Sequence, residues 1–216
     1  AYEGFHPGSS PKPYVFGFNR NEGFFFVPSP ESITPGDYDE SLECDFGAEQ
    51  AARIKAFTVH GSRPYNPASY SEDPVSGMSA AAQALAWAIT DYAFAAGNLR
   101  SAQNAWEQMD DSGLSMHGYY FTQVSSFNFT GVRRCDPASG HVCHTEELPY
   151  VFHNMLKKVG ENFVPADHVT SAEEKLARRM SLTWSRFARN PFGQKGGWGR
   201  PALQAVSEGP YVEWGT

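Results

Sequence analysis

Two stretches of this 216-residue chain read as buried strands, "PYVFGFN" at 13–19 and "GYYFTQVSSFNF" at 118–129, and much of the rest reads as helix. The first is a short β-prone run that leaves through the polar turn "NRNEG", with Glu22 and Gly23 at its C-terminal end. The second is aromatic and β-branched, which suits a pleated, half-buried surface. Between them, "FGAEQAARIKAFTV" (46–59) has apolar positions near helical spacing. The Ala-rich run at 78–109 predicts one long helix bent near Gly97, or two helices. "SAEEKLARRMSLTWSRFARN" (171–190) carries the clearest helical pattern. Ser171 and Glu174 are spaced as a capping box, Leu176, Met180, Trp184 and Phe187 form an apolar stripe, and Pro191 stops the helix. The tail after it reads as irregular, anchored by two Trp. Strands interleaved with long helices predict an α/β arrangement. Two strands cannot make a self-sufficient parallel sheet with helices on both faces, so part of the sheet is expected to lie outside this chain.

Composition narrows the function classes. Hydrophobic residues make up 41% of the chain and charged residues only 19%, which supports a substantial core rather than a disordered or coiled-coil chain. The net charge of −7, with no basic run, argues against nucleic acid as a partner, because phosphate binding needs clustered Lys and Arg. No stretch approaches the length of apolar residues needed to span a membrane. "AYEGFHPGSSPKPY" has no basic segment followed by an apolar core, so no signal peptide is expected there.

Cys135 and Cys143 bracket "CDPASGHVC", whose Asp-Pro and Ser-Gly pairs favour a chain reversal. A loop disulfide is the favoured reading and two unpaired thiols the alternative. A bridge would imply an oxidising compartment, with Cys44 left over. Asn128-Phe129-Thr130 is a glycosylation sequon, a triplet that also arises by chance.

The densest chemistry lies in "GHVCHTEELPYVF" at 140–152, and on spacing alone His144 has three readings. Cys135, His141, Cys143 and His144 could all ligate zinc, but C-x5-H-x-C-H matches no usual paired-ligand pattern, so no metal is expected. A lone loop histidine is more often solvated or bonded to backbone. As a general base it would need a carboxylate to fix its tautomer and steady the imidazolium. Glu22, at the end of a strand, could supply one, since α/β proteins build their sites on the loops after strands.

Four segments together resemble the type-B carboxylesterases and cholinesterases, a family of α/β-hydrolases. "VFGFNRNEGFFF" resembles the family's G-x-N-x-x-E-G strand-turn, which supplies the acid of a Ser-Glu-His triad. "CHTEELPYVF" is similar to the H-G-x-E-L-P-Y-V-F segment that supplies the histidine. "LARRMSLTWSRFARNP" resembles the late W-x-x-F-A helix, and "GWGRPAL" the W-P segment after it. All four occur in the family's order. The resemblance implies that residues 1–216 are the C-terminal portion of one α/β-hydrolase catalytic domain, completed by an N-terminal portion that is not in this chain. It makes Glu22 the orienting acid and His144 the base, and gives Glu147 a supporting hydrogen-bond role. Glu146 is expected to be a solvated charge, and Trp184, Phe187 and Ala188 core. Phe24, Phe25 and Phe26, directly after the acid, are candidates for lining a substrate pocket, with plain core packing as the alternative.

There are departures. Thr145 stands where the family has Gly, Asn21 where it commonly has an acid, and the Gly-Asn-Pro after F-A is shortened to Arg189-Asn190-Pro191. The larger departure is the lack of a G-x-S-x-G elbow: "GMSAA" and "GLSMH" each lack the second Gly. No HGGG-type oxyanion loop occurs either. The chain is therefore expected to supply Glu22 and His144 to a secreted, extracellular or periplasmic esterase that needs no cofactor. The N-terminal chain of the same esterase, bearing the nucleophile, would be its partner and a small-molecule ester its substrate. A non-catalytic binding or adhesion relative on the same scaffold is the alternative.

Overall fold

The computed structural model describes residues 13–109, 116–191 and 211–214. Strand β1 (Tyr14–Asn19) pairs in parallel with β2 (Met116–Phe121), placing Tyr14 opposite Met116 and Asn19 opposite Phe121. A third strand, β5 (Tyr211–Trp214), continues the sheet on the far side of β2, again in parallel. Part of the tail read as irregular is thus a strand. The "GWGRPAL" segment lies outside the described residues. The second predicted strand is shorter than expected: pairing stops at Phe121, and residues 122–129 form a loop.

Parallel neighbours cannot be joined by a tight turn, and the β1–β2 crossover is helical. It opens with a 3-10 turn, Glu22–Phe25, then α1 (Pro35–Phe46) and α2 (Ala48–Ala56). Helix α1 was not read from the sequence. Its start is set by a capping box, in which the Thr34 hydroxyl accepts from Asp37 N–H while the Asp37 carboxylate accepts from Thr34 N–H. Helix α3 (Ala80–Ile89) follows, then a π-helical turn, Thr90–Ala95, and α4 (Ala96–Met109). The distortion in the long Ala-rich segment is this π-turn rather than a bend at Gly97.

Alanine in α3 serves packing as well as propensity. Ala81, Ala82, Ala84, Ala86 and Ala88 are all buried. Ala82 and Ala86 pack against Phe24 and Val27 on one side, while Ala81, Ala84 and Ala88 meet Tyr38 and Leu42 of α1 on the other. A third cluster joins Phe121, Val142 and Tyr150 to Leu176, Ala177 and Met180 of α6 (Ser171–Arg189). The capping box of α6 is one residue earlier than its sequence pattern suggests: Thr170 is the cap and Glu173 its partner. Glu173 is buried and also accepts from Ser126 N–H at 2.6 Å, which ties α6 to the loop after β2. Ala188, expected in the core, is exposed. Between β2 and α6 lie the one-turn helix α5 (Leu148–Phe152) and the hairpin β3 (Leu156–Val159)–β4 (Asn162–Pro165).

Candidate active site

The end of β1 is held from two directions. Arg20 N–H donates to the Phe121 carbonyl at the end of β2, and Asn21 exchanges two bonds with Val142, N–H to carbonyl at 2.9 Å and side-chain oxygen to N–H at 3.0 Å. The turn carrying the acid is thereby fastened to the loop carrying the histidine. The Cys135–Cys143 disulfide is formed, closing that loop immediately before His144. Both sulfurs are spent on each other, so Cys135 and Cys143 offer no thiolate to a metal. His141 faces the Arg134 carbonyl at 2.8 Å, with burial lowering its pKa, and is not brought to His144 as a co-ligand. Cys44 is free and exposed on α1.

Glu22 and His144 meet. Glu22 Oε2 lies 2.6 Å from His144 Nδ1, across 122 residues of sequence. The other oxygen, Oε1, accepts the backbone N–H of Asn19 at 2.6 Å, so both lone-pair faces of a 96%-buried carboxylate are engaged and the group cannot swing away. A carboxylate on Nδ1 fixes the tautomer with its proton there, leaving Nε2 as the basic nitrogen. The imidazole is 37% exposed. Its pKa is raised, chiefly by the bond to Glu22, with burial opposing and the charges of Glu22 and Glu147 assisting. Such an arrangement suits general-base chemistry, because a cation formed on proton capture would already have its counter-charge in place.

The three phenylalanines after the acid separate. Phe24 is 2% exposed and packs in the core, edge-on to Trp87 and against His141. Phe25 and Phe26 face the imidazole, with ring centroids 6.0 and 5.0 Å from it. A residue the sequence did not signal joins them. Phe94, from the π-helical turn, lies 5.4 Å from the His144 ring and stacks on Phe26 at 5.6 Å. A π-turn shifts the helical register by one residue and often marks a functional site; here it places a third aromatic ring beside the histidine.

Behind the pair, Glu147 accepts from Asn19 Nδ2 at 2.7 Å and from the Tyr119 hydroxyl at 3.4 Å, and burial raises its pKa. Thr145, standing in the family's Gly position, has φ of 74°. That is a left-handed conformation that a β-branched residue adopts only at a cost of about 1–3 kcal/mol. Its hydroxyl bonds the His144 carbonyl.

Glu146 corrects the sequence reading. Rather than a solvated charge it is 2% exposed, its Oε1 finds no hydrogen-bond partner among the described residues, and burial drives its pKa well above the ordinary 4.5. Its carboxylate lies within 4.8 Å of the Cys135 and Cys143 sulfurs, a placement that an acidic residue in a polar loop does not announce. Because the folded state binds this proton more tightly than the unfolded chain, the stability it contributes is complete below the ordinary carboxylate range and is lost as pH rises towards the folded pKa. Glu146→Gln is therefore expected to flatten that decline. In urea unfolding of the complete protein, it should stabilise by about 1–3 kcal/mol at pH 8 and far less at pH 4. An equal effect at both pH values would show that the fold holds this proton no more tightly than the unfolded chain does.

The sequon falls in a tight turn. Asn128 Oδ1 accepts from the Thr130 hydroxyl and from Gly131 N–H, while Nδ2 donates to the Val132 carbonyl. The Nδ2 group carries two hydrogens and uses one of them in this turn.

Residues 5–210 match the model of the carboxylesterase family. Among curated proteins, the chain is similar to cocaine esterase of Homo sapiens, at 28% identity over 194 residues. The match covers 88% of this chain and 31% of the relative, so the chain spans about a third of that protein's length.

Proposed function

This chain belongs to the carboxylesterase family, and from that premise we propose that it supplies the acid and the base of a Ser-Glu-His triad that hydrolyses carboxylic esters. The fold is accordingly that of the α/β-hydrolases, and we take residues 1–216 as the C-terminal portion of one catalytic domain. The observation that carries the proposal is the 2.6 Å contact between Glu22 and His144, made where the turns after two neighbouring parallel strands come together.

In the proposed reaction, a serine hydroxyl attacks the ester carbonyl while His144 Nε2 takes its proton. Glu22 balances the imidazolium, and backbone N–H donors hold the oxyanion. His144 then protonates the departing alkoxide, leaving an acyl-serine. Water deprotonated at the same nitrogen attacks that acyl group and restores the serine. The serine and the oxyanion donors are assigned to the nucleophile-bearing N-terminal portion, since no G-x-S-x-G occurs in these 216 residues. Phe25, Phe26 and Phe94 surround the imidazole with apolar surface, which favours esters whose acyl or alcohol group is apolar. The disulfide favours an oxidising location, secreted, extracellular or periplasmic. No helix among the described residues is long and apolar enough to cross a membrane.

A fluorophosphonate reagent applied to the complete protein tests the proposal. It should label a single serine outside this chain and abolish hydrolysis of p-nitrophenyl butyrate in proportion to labelling. Hydrolysis that persists after full labelling, or the absence of both labelling and hydrolysis, would overturn it and leave the scaffold as a binding module.

A further inference from the structure

Asn19 occupies the last position of β1, and its side chain is fully buried. Three of its hydrogen-bonding groups point at the acid–base pair or its support. Its backbone N–H donates to Glu22 Oε1 at 2.6 Å. Its side-chain nitrogen donates twice, at 2.7 Å to the carbonyl of Cys143 and at 2.7 Å to Glu147 Oε2. The two side-chain partners lie 124 and 128 residues away in sequence and flank His144 on either side. A single amide therefore grips the peptide just before the histidine and the carboxylate three residues after it, while the same residue's main chain holds the acid. A short neutral amide suits this task, which needs two N–H donors on one nitrogen, directed at two acceptors, in a site closed to water. Among the described residues the side-chain oxygen finds no partner, whereas both N–H donors of the amide do. The orientation follows from the two acceptors: a carbonyl and a carboxylate face the amide, and only its nitrogen can donate to them.

We propose that Asn19 is a positioning residue for the acid–base pair: it sets the seat of the His144 turn relative to Glu22, and with it the 2.6 Å contact on which general-base catalysis depends. This rests on the esterase reading. Removing the side chain leaves the backbone N–H on Glu22 in place and frees the Cys143 carbonyl and the Glu147 carboxylate. The histidine turn then loses its anchor to β1 on that side, while the acid stays put. A misplacement of about 1 Å at such a contact costs on the order of a hundredfold in rate.

The test uses the complete protein with p-nitrophenyl butyrate as the probe substrate. Asn19→Ala and the smaller perturbation Asn19→Ser are each compared with the parent and with His144→Ala. Both variants should lower kcat by about 10- to 100-fold, with KM changed less than about threefold. The acid limb of the kcat/KM profile should also move to lower pH, because an imidazolium seated less well on Glu22 loses its proton more readily. A role in packing alone would lower thermal stability and leave that limb where it is. The pKa of His144 is read independently by NMR of histidine labelled with carbon-13 at Cε1, with the resonance assigned by its loss in His144→Ala. It should fall in both Asn19 variants whether or not the probe ester is turned over. Variants with kcat within about twofold of the parent and an unmoved histidine pKa would overturn the proposal. So would variants whose activity falls only in step with their unfolded fraction, and so would the failure of both to fold. A parent without hydrolysis, or a His144→Ala form with full hydrolysis, would sink the esterase reading instead, and the NMR titration would still decide the role of Asn19.

Discussion

Replacing His144 by alanine in the complete protein is expected to lower kcat for ester hydrolysis by about 10^4-fold or more, with little change in KM. His144 Nε2 is the base of the proposed triad, and once the imidazole is gone the buried Glu22 carboxylate, still held by Asn19 N–H, is a poor substitute for it. Rate measured against pH in the parent protein should carry the signature of the same group. Catalysis needs neutral imidazole, and the bond to Glu22 raises the pKa above the ordinary 6.5. Hydrolysis should thus fall away on the acid side, beginning at a pH higher than an unassisted histidine would give. Glu22→Gln should move that limb to lower pH as well as slowing the reaction, because the amide supplies no counter-charge. Stability should follow the opposite course. The folded state holds the histidine proton more tightly than the unfolded chain, so the stabilisation from the pair is complete below about pH 6.5 and is lost as pH rises through the folded pKa. An acid limb that does not move in Glu22→Gln would mean that the carboxylate does not tune the base.

Gly23→Ala should be the most destructive single-methyl change at the site. A Cβ at this position would lie 2.1 Å from the Ala86 carbonyl oxygen, 2.7 Å from Thr90 N and 2.9 Å from Ile89 Cβ. Two of those atoms are helix backbone, which cannot turn aside as a side chain can. Gly23 N–H also donates to the Thr90 hydroxyl at 2.9 Å, and that hydroxyl donates in turn to the Ala86 carbonyl. Any movement that relieved the clash would break this chain of bonds and drag Glu22 with it. A loss of about 3 kcal/mol is expected, read as a lower urea midpoint of the complete protein, and the folded fraction should hydrolyse esters poorly. A variant with the parent's midpoint and rate would show that the turn and α3 are not in the contact described.

Why Glu22 and His144 could be found by reading, and their surroundings could not, follows from how each is specified. Both lie inside short contiguous motifs that resemble the family's, and it is that resemblance, not spacing, that singles them out. Asn19 lies inside the same motif, yet its role depends on acceptors that arrive from beyond residue 140, and nothing local announces them. Phe94 is hidden for a different reason. Propensity counts residues that favour a helix but not the hydrogen-bond offset that makes Thr90–Ala95 a π-turn, so the shift that turns Phe94 towards the imidazole has no compositional trace. Helix α1 leaves little trace in the sequence because only Tyr38 and Leu42 of its residues are buried, too sparse a face for a periodicity to stand out. Strand β5 is four residues long, and pairing with β2 is what makes it a strand. Glu146 reads as solvated because the burial of an acid depends on tertiary contacts that no local pattern carries.

The bridge between Cys135 and Cys143 has a bearing on wear. The ring it closes contains the turn Pro137–Ser139 and the exposed Ala138, a natural point of attack for a protease. A single cut there would sever the main chain between acid and base, yet the fragments would stay tethered at the sulfurs. The histidine would remain fastened to the body of the protein through a bond that sits one residue ahead of it. A clipped population would run as one species until treated with reductant, and only then fall into two.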